Sequence, residues 1–160
     1  MYRIGQGIDF HQMTEGRPFY LGGILIPHYK GALGHSDADV LLHAICDALL
    51  GALGLGDIGK HFPNNDPAYK DIDSKILLQK SYALIVSKKY QVVNVDSTIL
   101  LQEPKIMKYV PEMQKTIASI LNIQVEDVSI KATTTEQLSF IGREEGIVAT
   151  ANLLLKKVEL

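Results

Sequence analysis

The sequence predicts an α+β fold, with a mixed β-sheet and about three helices on one face of it. Two observations indicate this class. The predicted elements follow one another as strand, hairpin, helix, helix, strand, helix, strand and strand. Three helices can cover one face of a single sheet but hardly both. The 160 residues contain no internal repeat and no linker-like stretch, so residues 1–160 are expected to form a single domain.

The first elements are marked by glycines and by apolar spacing. Residues 2–8 predict a strand, and residues 18–27 predict a hairpin, because a glycine pair separates two short apolar runs there. Apolar residues then recur at helical spacing over 41–52. We expect Ser36 to cap this helix and Gly54 to follow its end.

The remaining elements alternate less regularly. Helices are predicted over 74–88 and 111–121, and residues 90–101, rich in Val, Thr and Ile, predict a strand between them. Two further strands are predicted over 125–133 and 147–158. Both faces of the last strand are apolar, so each needs cover. We therefore predict a homo-oligomer in which a neighbouring subunit covers the second face.

Composition excludes several classes of partner. The formal net charge is −2 and no basic run occurs, so no nucleic-acid partner is expected. The longest mostly apolar stretch, residues 40–55, is too short to span a bilayer, and the N-terminus has no signal-peptide pattern. The lone Cys46 cannot form an internal disulfide and is expected to be a small core residue. We expect a cytoplasmic protein without a membrane partner.

Asp9 and His11 end the first strand. Side chains two residues apart on a strand point the same way, so this carboxylate and imidazole form half of a divalent-metal site. As an isolated pattern, the pair is more often an ordinary polar strand end.

His43 strengthens the metal interpretation. Asp39, His43 and Asp47 share one face of an otherwise apolar helix, and we expect Asp47 to orient the imidazole through its second nitrogen. An ordinary solvated helix face is the alternative. One Asp and two His leave a fourth tetrahedral position open, as in catalytic zinc sites, although Mn²⁺ or Co²⁺ also suits these ligands.

Several segments suit a phosphorylated ligand. His35 and Ser36 precede the first helix, where an anion is favoured, although Ser36 would also serve simply as a cap. Residues 54–60 are rich in glycine but lack Walker spacing, which excludes a nucleotide triphosphatase. Residues 131–136 and 142–146 offer hydroxyls, Glu136 and Arg143. Each pattern is weak alone, and together they predict a phosphate-rich ligand.

Five linked motifs resemble the 2-C-methyl-D-erythritol 2,4-cyclodiphosphate synthase family and span essentially the whole chain. They are Arg3-Ile4-Gly5-x-Gly7-x-Asp9-x-His11, Gly34-His35-Ser36-Asp37-x-Asp39-Val40-x-x-His43-Ala44, Leu55-Gly56-Asp57-Ile58-Gly59-Lys60-x-Phe62-Pro63, Lys131-Ala132-Thr133-Thr134-Thr135-Glu136 and Gly142-Arg143-x-Glu145-Gly146-Ile147. One departure is Gln6, where His is expected in several relatives. No second catalytic domain is expected, unlike in the fused form that carries a cytidylyltransferase.

The resemblance implies a role for each matching position. It implies zinc on Asp9, His11 and His43, a second cation (Mg²⁺ or Mn²⁺) on Glu136, and catalytic roles for His35 and Thr134. It implies a methylerythritol loop of Asp57, Ile58, Gly59, Phe62, Pro63, Asn64, Asn65 and Asp66. It implies a cytidine and diphosphate pocket of Leu101, Gln102, Glu103, Pro104, Lys105, Ile106 and Met107 with Thr133 and Thr135, and further ligand contacts at Phe140 and Arg143.

The resemblance also implies an assembly and a reaction. The assembly is a homotrimer with sheets around a three-fold axis, active sites between subunits, and a central cavity near Arg143 and Glu145 for an isoprenoid diphosphate. The reaction closes 4-diphosphocytidyl-2-C-methyl-D-erythritol 2-phosphate into the 2,4-cyclodiphosphate and releases CMP, on the non-mevalonate route to isoprenoids. Two alternatives remain open: a metal-dependent phosphohydrolase with His35 as base, and a non-catalytic binding module for a nucleotide or an isoprenoid diphosphate.

Overall fold

The computed structural model describes residues 1–158 and contains a five-stranded sheet and a separate two-stranded hairpin. The strands are β1 (Tyr2–Glu15), β2 (Phe19–Leu21), β3 (Ile24–Ile26), β4 (Lys30–Leu33), β5 (Tyr90–Leu100), β6 (Val128–Thr133) and β7 (Gly146–Lys157). The helices are α1 (Val40–Ala52), α2 (Ile58–His61), α3 (Ser74–Ser87), α4 (Val110–Leu121) and α5 (Ser139–Gly142). Short 3-10 turns cover Pro67–Tyr69, Met107–Tyr109 and Val125–Asp127.

The main sheet has the strand order β4-β1-β7-β5-β6. β7 runs antiparallel to both β1 and β5, whereas β5 and β6 are parallel. The carboxyl ends of β1, β5 and β6 therefore meet at one end of the sheet. The predicted α+β class is confirmed.

One face of the sheet is buried beneath the helices, and the other is largely open. Gly5, Leu153 and Val95 form one row of neighbours on the buried face. On the opposite face, β1 carries Ile4 and Phe10, which are 77% and 56% exposed. Apolar groups on a sheet face gain stability when they are removed from water, so this face is suited to a partner surface.

Two glycines allow α1 to lie unusually close to β1. A Cβ at Gly7 would overlap the carbonyl oxygen of Ala44 and lie 2.9 Å from the nitrogen of Ala48. Gly5 meets the carbonyl oxygen of Ala48 in the same way. The helix thus packs directly on the strand backbone, which only glycine permits at these positions.

Two predicted boundaries differ from the structure by several residues. β1 continues to Glu15 because its last four residues pair with β4, a strand that was not predicted. β6 begins at Val128 rather than at residue 125, because a 3-10 turn precedes it. The helices over 74–88 and 111–121 are confirmed to within one residue as α3 and α4.

The predicted cap of the first helix is wrong. Asp39, not Ser36, caps α1, and its carboxylate accepts hydrogen bonds from the backbone N–H groups of Leu42 (3.1 Å), Gly22 (3.0 Å) and Gly23 (2.7 Å). The carboxylate therefore joins the helix to the β2–β3 turn. The Ser36 hydroxyl instead accepts from the N–H of Ala38 at 3.1 Å.

Asp39 is expected to make stability depend on pH. Burial raises the pKa of Asp39 to about 6, although its N–H donors oppose the shift. The folded chain then holds this proton to a higher pH than the unfolded chain, whose aspartates titrate at about 4. Stability should therefore fall as pH rises from about 4 to 6, by about 2–3 kcal/mol.

The measurement is the free energy of unfolding of metal-free protein across this range, for wild type and for Asp39→Asn. The variant cannot ionise at this position, so its curve should lack that fall. Parallel curves for the two proteins would contradict the prediction.

No helix among residues 1–158 is both long and apolar enough to cross a membrane.

Candidate active site

Asp9 and His11 on β1 meet His43 on α1. Asp9 Oδ2 lies 3.0 Å from His11 Nε2 and 3.1 Å from His43 Nδ1, and the two imidazole nitrogens are 3.1 Å apart. The period of two on β1 aims Asp9 and His11 at the helices. The close approach of α1 at Gly7 then brings in His43, the neighbour of Ala44. The structure thus brings together the three residues predicted as metal ligands.

A hydrogen bond fixes the proton of His11 on the ring nitrogen that points away from the triad. Its Nδ1 lies 3.1 Å from the carbonyl oxygen of Leu33, which can only accept, so Nδ1 carries the proton. In the neutral ring, Nε2 then presents a lone pair toward Asp9 and His43. A carboxylate oxygen and a ring lone pair repel each other at this distance unless a cation lies between them.

The pKa shifts of Asp9 and His43 also indicate that the triad favours a positive charge. Burial raises the pKa of Asp9, but its contacts with the rings of His11 and His43 outweigh that effect, so the pKa lies well below its usual range. Burial lowers the pKa of His43, but the hydrogen bond and charge of Asp9 outweigh it, so the pKa is raised. In the absence of metal, a proton shared with Asp9 supplies the charge. A metal ion would replace that proton.

The donor set fits a small divalent ion. Ligands of a tetrahedral ion with bonds of about 2.0 Å lie about 3.3 Å apart. The three separations of 3.0 to 3.1 Å in the triad are close to this value. One carboxylate and two imidazoles are ordinary ligands for such an ion. The triad therefore has the chemistry as well as the spacing of a metal-binding site.

A cavity of about 350 Å³ opens beside the triad. Predicted site residues form part of its lining: His35, Ser36, Ile58, Gly59, Phe62 and Asn64. The ring of His35 is fixed by its Nε2, which donates to the carbonyl oxygen of Asp66 at 3.4 Å. The cavity therefore places several polar groups beside an open side of the metal site.

A second cavity of about 200 Å³ lies at the ends of β5 and β6. It is lined by Leu101, Gln102, Pro104, Lys105, Ile106, Met107, Ala132, Thr133 and Thr134. The two segments that were predicted to share a pocket do so, although Glu103 and Thr135 are not among the lining residues. Both cavities thus lie at the same end of the sheet, with β7 and β5 between the strands that carry them.

Comparison with known proteins identifies the family. The model of the YgbB family matches residues 2–156. The chain belongs to the YgbB family. A relative from Shouchella clausii (strain KSM-K16), named 2-C-methyl-D-erythritol 2,4-cyclodiphosphate synthase, is 59% identical over 99% of this chain and 100% of its own length. The resemblance drawn from the five motifs is confirmed, and the YgbB-family chain is an enzyme.

Solved structures agree with this YgbB-family assignment. The bifunctional IspDF of Campylobacter jejuni superposes with a TM-score of 0.95 at 38% identity and covers 99% of this chain. This chain spans 43% of that longer protein. A CDP complex of IspF from Plasmodium falciparum superposes with a TM-score of 0.87 at 38% identity, over 99% of this chain and 97% of that one.

Asp47 does not orient His43 in this YgbB-family chain, and that prediction is wrong. Asp47 Oδ1 accepts instead from the backbone N–H of Ile58 at 2.7 Å, which ties α1 to α2. The second nitrogen of His43 faces Ser74 Oγ at 2.8 Å and Ser36 Oγ at 3.2 Å. The alternative of a solvated helix face is also excluded, because Asp39 is fully buried and His43 is 8% exposed.

Four other predicted loop residues do not line the metal-site cavity, and two of them make hydrogen bonds within the loop instead. Asp57 caps α2 by accepting from the N–H of Lys60 at 2.9 Å, and Asp66 accepts from the N–H of Ala68 at 2.9 Å. Pro63 and Asn65 are not among the residues lining the metal-site cavity. Three apolar residues that were not predicted do line it: Tyr69, Ile72 and Leu77.

Glu136 lies apart from the triad within one chain. Its Oε1 accepts from the Thr134 hydroxyl at 3.2 Å, and it follows the end of β6. Phe10 on β1 and Thr133 on β6 share one row across the sheet, with β7 and β5 between them. Three strand spacings amount to about 14 Å. The strand that leads to Glu136 is thus separated from the strand that carries Asp9 and His11 by two intervening strands.

The last two predicted contacts lie near a third cavity of about 440 Å³. Phe140 lines it together with Phe10 and Glu145. Arg143 makes two hydrogen bonds to the carboxylate of Glu145, at 3.0 Å each, and both side chains are exposed. The structure therefore groups Arg143 and Glu145 as an ion pair beside that cavity.

The predicted core residue Cys46 is fully buried, as expected, and burial raises the pKa of its thiol to about 12.

Proposed function

We propose that this enzyme converts 4-diphosphocytidyl-2-C-methyl-D-erythritol 2-phosphate into 2-C-methyl-D-erythritol 2,4-cyclodiphosphate and CMP, acting as a phosphorus-oxygen lyase in the cytoplasm. The observation that carries the proposal is the metal triad opening into a polar cavity, with a second pocket at the same end of the sheet. The name of its 59%-identical relative supports the substrate.

The reaction needs no nucleophile from the protein. An oxygen of the 2-phosphate attacks the β-phosphorus, a new P–O bond closes the ring, and the P–O bond to the α-phosphate breaks with its electron pair leaving on CMP. The attacking oxygen is already anionic, so catalysis requires positioning and neutralisation of charge.

The proposed roles follow from where the side chains lie. Asp9, His11 and His43 would hold a zinc ion, which supplies Lewis acidity toward a phosphate oxygen. Glu136 would hold Mg²⁺ or Mn²⁺ together with the substrate's phosphates. His35 and Thr134 would orient the diphosphate by hydrogen bonds.

The two cavities divide the rest of the substrate between them. In the proposed arrangement, the methylerythritol lies over Ser36 and the lining residues of 57–66 of one subunit, and the cytidine lies in the neighbouring subunit's pocket formed by Leu101 to Met107. Thr133 and Thr135 would add hydroxyl contacts to the diphosphate, and Phe140 and Arg143 would complete the contacts with ligand.

We propose a homotrimer in which each active site lies between two subunits. The separation of about 14 Å between β1 and β6 supports it, because a neighbour's Glu136 segment could reach the triad where the same chain's cannot. The open apolar face of β1 supports sheets packed around a three-fold axis. The cavity near Phe140, Arg143 and Glu145 would then face the centre and suits an isoprenoid diphosphate.

Product analysis tests the reaction. Purified enzyme incubated with the substrate and Mg²⁺ should yield the cyclic diphosphate and CMP in equal amounts. Release of inorganic phosphate would indicate a phosphohydrolase, with His35 as the base, and no turnover would indicate a binding module. Either outcome would contradict the proposal.

Subunit complementation tests the shared site. His43→Ala and Glu136→Ala chains should each be inactive alone. Co-refolding them in equal amounts should restore about a quarter of wild-type activity, because about one interface in four then combines an intact triad with an intact Glu136. The control is co-refolding of each variant with itself. No recovery in mixed trimers would contradict a site built from two chains.

A further inference from the structure

The second nitrogen of His43 faces a buried side chain that no motif singled out. Ser74, the first residue of α3, lies 31 residues away in the sequence and is fully buried. Its hydroxyl oxygen is 2.8 Å from His43 Nε2, the nitrogen that points away from Asp9 and His11. Ser74 is not among the residues that line the metal-site cavity, so this contact lies behind the site.

The hydroxyl of Ser74 has only one proton, and Asp37 takes it. Ser74 Oγ donates to Asp37 Oδ1. A hydroxyl that has given its proton to a carboxylate can only accept from a second partner. His43 Nε2 must therefore donate to Ser74 Oγ, and the proton of the neutral ring lies on Nε2.

Asp37 is itself held in place from several directions. Its Oδ2 accepts from the backbone N–H of Ser74 at 3.0 Å, and its Oδ1 accepts from the N–H of Asp39 at 3.2 Å. Its own N–H donates to the carbonyl oxygen of Ile72 at 3.1 Å. The carboxylate thus cannot turn to offer the hydroxyl a different partner without breaking backbone contacts.

We infer that Ser74 and Asp37 are positioning residues of the metal centre, which hold His43 in the tautomer that presents the Nδ1 lone pair to the metal. The inference rests on the metal site proposed above and deepens it. A carboxylate acting through a hydroxyl fixes both the ring orientation and the proton position, as carboxylates behind metal-bound histidines do directly.

Ser36 does not replace this arrangement. Its hydroxyl is farther from His43 Nε2, at 3.2 Å, and also accepts from the N–H of Ala38. It lines the cavity, so substituting it would also alter the proposed substrate contacts. Substituting Ser74 therefore tests the positioning of the metal ligand without altering a residue of the proposed substrate site.

The test is the zinc affinity of the full-length enzyme, measured by competition with a chromophoric chelator. Ser74→Ala should weaken zinc binding by about 10-fold or more, the range found for partners behind metal-bound histidines. The matched control is Ser81→Ala. Ser81 is also fully buried on α3, and no hydrogen bond joins its hydroxyl to Asp9, His11 or His43. Its removal should leave the zinc affinity within about twofold of wild type.

A second variant keeps the inference testable if Ser74→Ala folds poorly. Asp37→Ala removes the acceptor of the Ser74 hydroxyl proton, so that proton can turn toward His43 Nε2 and favour the wrong tautomer. Its zinc affinity should fall at least as far as that of Ser74→Ala. The visible spectrum of the Co²⁺-loaded variants should also shift, because the ring of His43 is no longer held.

Two results would overturn the inference. Zinc affinity and a Co²⁺ spectrum equal to wild type in Ser74→Ala, or in Asp37→Ala when only that variant folds, would leave Ser74 and Asp37 with a structural role alone. A wild-type enzyme that binds no zinc would instead overturn the metal centre itself, and the inference with it. Measuring the wild type first distinguishes the two failures.

Discussion

The His43→Ala variant is expected to lose its bound metal and its turnover while remaining folded. Removing one of three ligands leaves Asp9 and His11 alone, and two ligands on one strand hold a divalent ion weakly. Turnover should fall at least about a hundredfold. The apolar contacts of α1 are unaffected, so circular dichroism should show the wild-type fold, and elemental analysis should show loss of about one ion per chain.

A histidine outside the triad gives the matched control. His28 lies in the loop before β4 and contacts the ring of Tyr29. His28→Ala should keep both the metal and the turnover. Stoichiometric metal and full turnover in His43→Ala would contradict the assignment of the triad.

The Gly7→Ala variant is expected to destabilise the fold strongly. The new methyl group would overlap the carbonyl oxygen of Ala44, a backbone atom that can move only with the whole of α1. Forcing atoms into a well-packed region costs about 1–3 kcal/mol, and a backbone clash lies at or above the upper end. We expect the free energy of unfolding to fall by about 3 kcal/mol, and metal affinity to fall with it because His43 moves with α1.

Gly51 offers a matched control on the same helix. A Cβ at Gly51 meets only the carbonyl oxygen of Gln6, at 3.9 Å. Gly51→Ala should therefore raise stability by about 0.5–1 kcal/mol, the usual gain in a helix interior. Denaturant titration of both variants provides the measurement. An unchanged unfolding midpoint for Gly7→Ala would show that α1 does not need the bare strand backbone.

Much of the fold could be predicted because its periodic signals are strong. The apolar spacing over 41–52 predicted α1, which is buried on nearly every side. β4 escaped prediction because Lys30 to Leu33 has little alternation of polar and apolar residues, and it forms only where the end of β1 pairs with it. A short strand that forms through long-range pairing cannot be predicted from its own four residues.

The site was predictable where its residues are close in sequence or match a motif. Asp9 and His11 were predicted from a period of two, and His43 from its face of the helix. Asp47 was wrongly expected to orient His43, because the competing N–H of Ile58 reaches it only through the turn between α1 and α2. The actual partner, Ser74, comes from a different helix, and a single buried serine carries no signal in sequence.

The close contact between α1 and β1 has a thermodynamic consequence. Asp9 and His43 are 34 residues apart, so their meeting point exists only in the folded chain. An ion bound there in thousandfold excess over its Kd adds about 4 kcal/mol to the folded state. The stability of the folded chain then depends on the supply of metal. Core substitutions that are harmless in metal-replete cells would expose the chain to proteolysis when the metal is scarce.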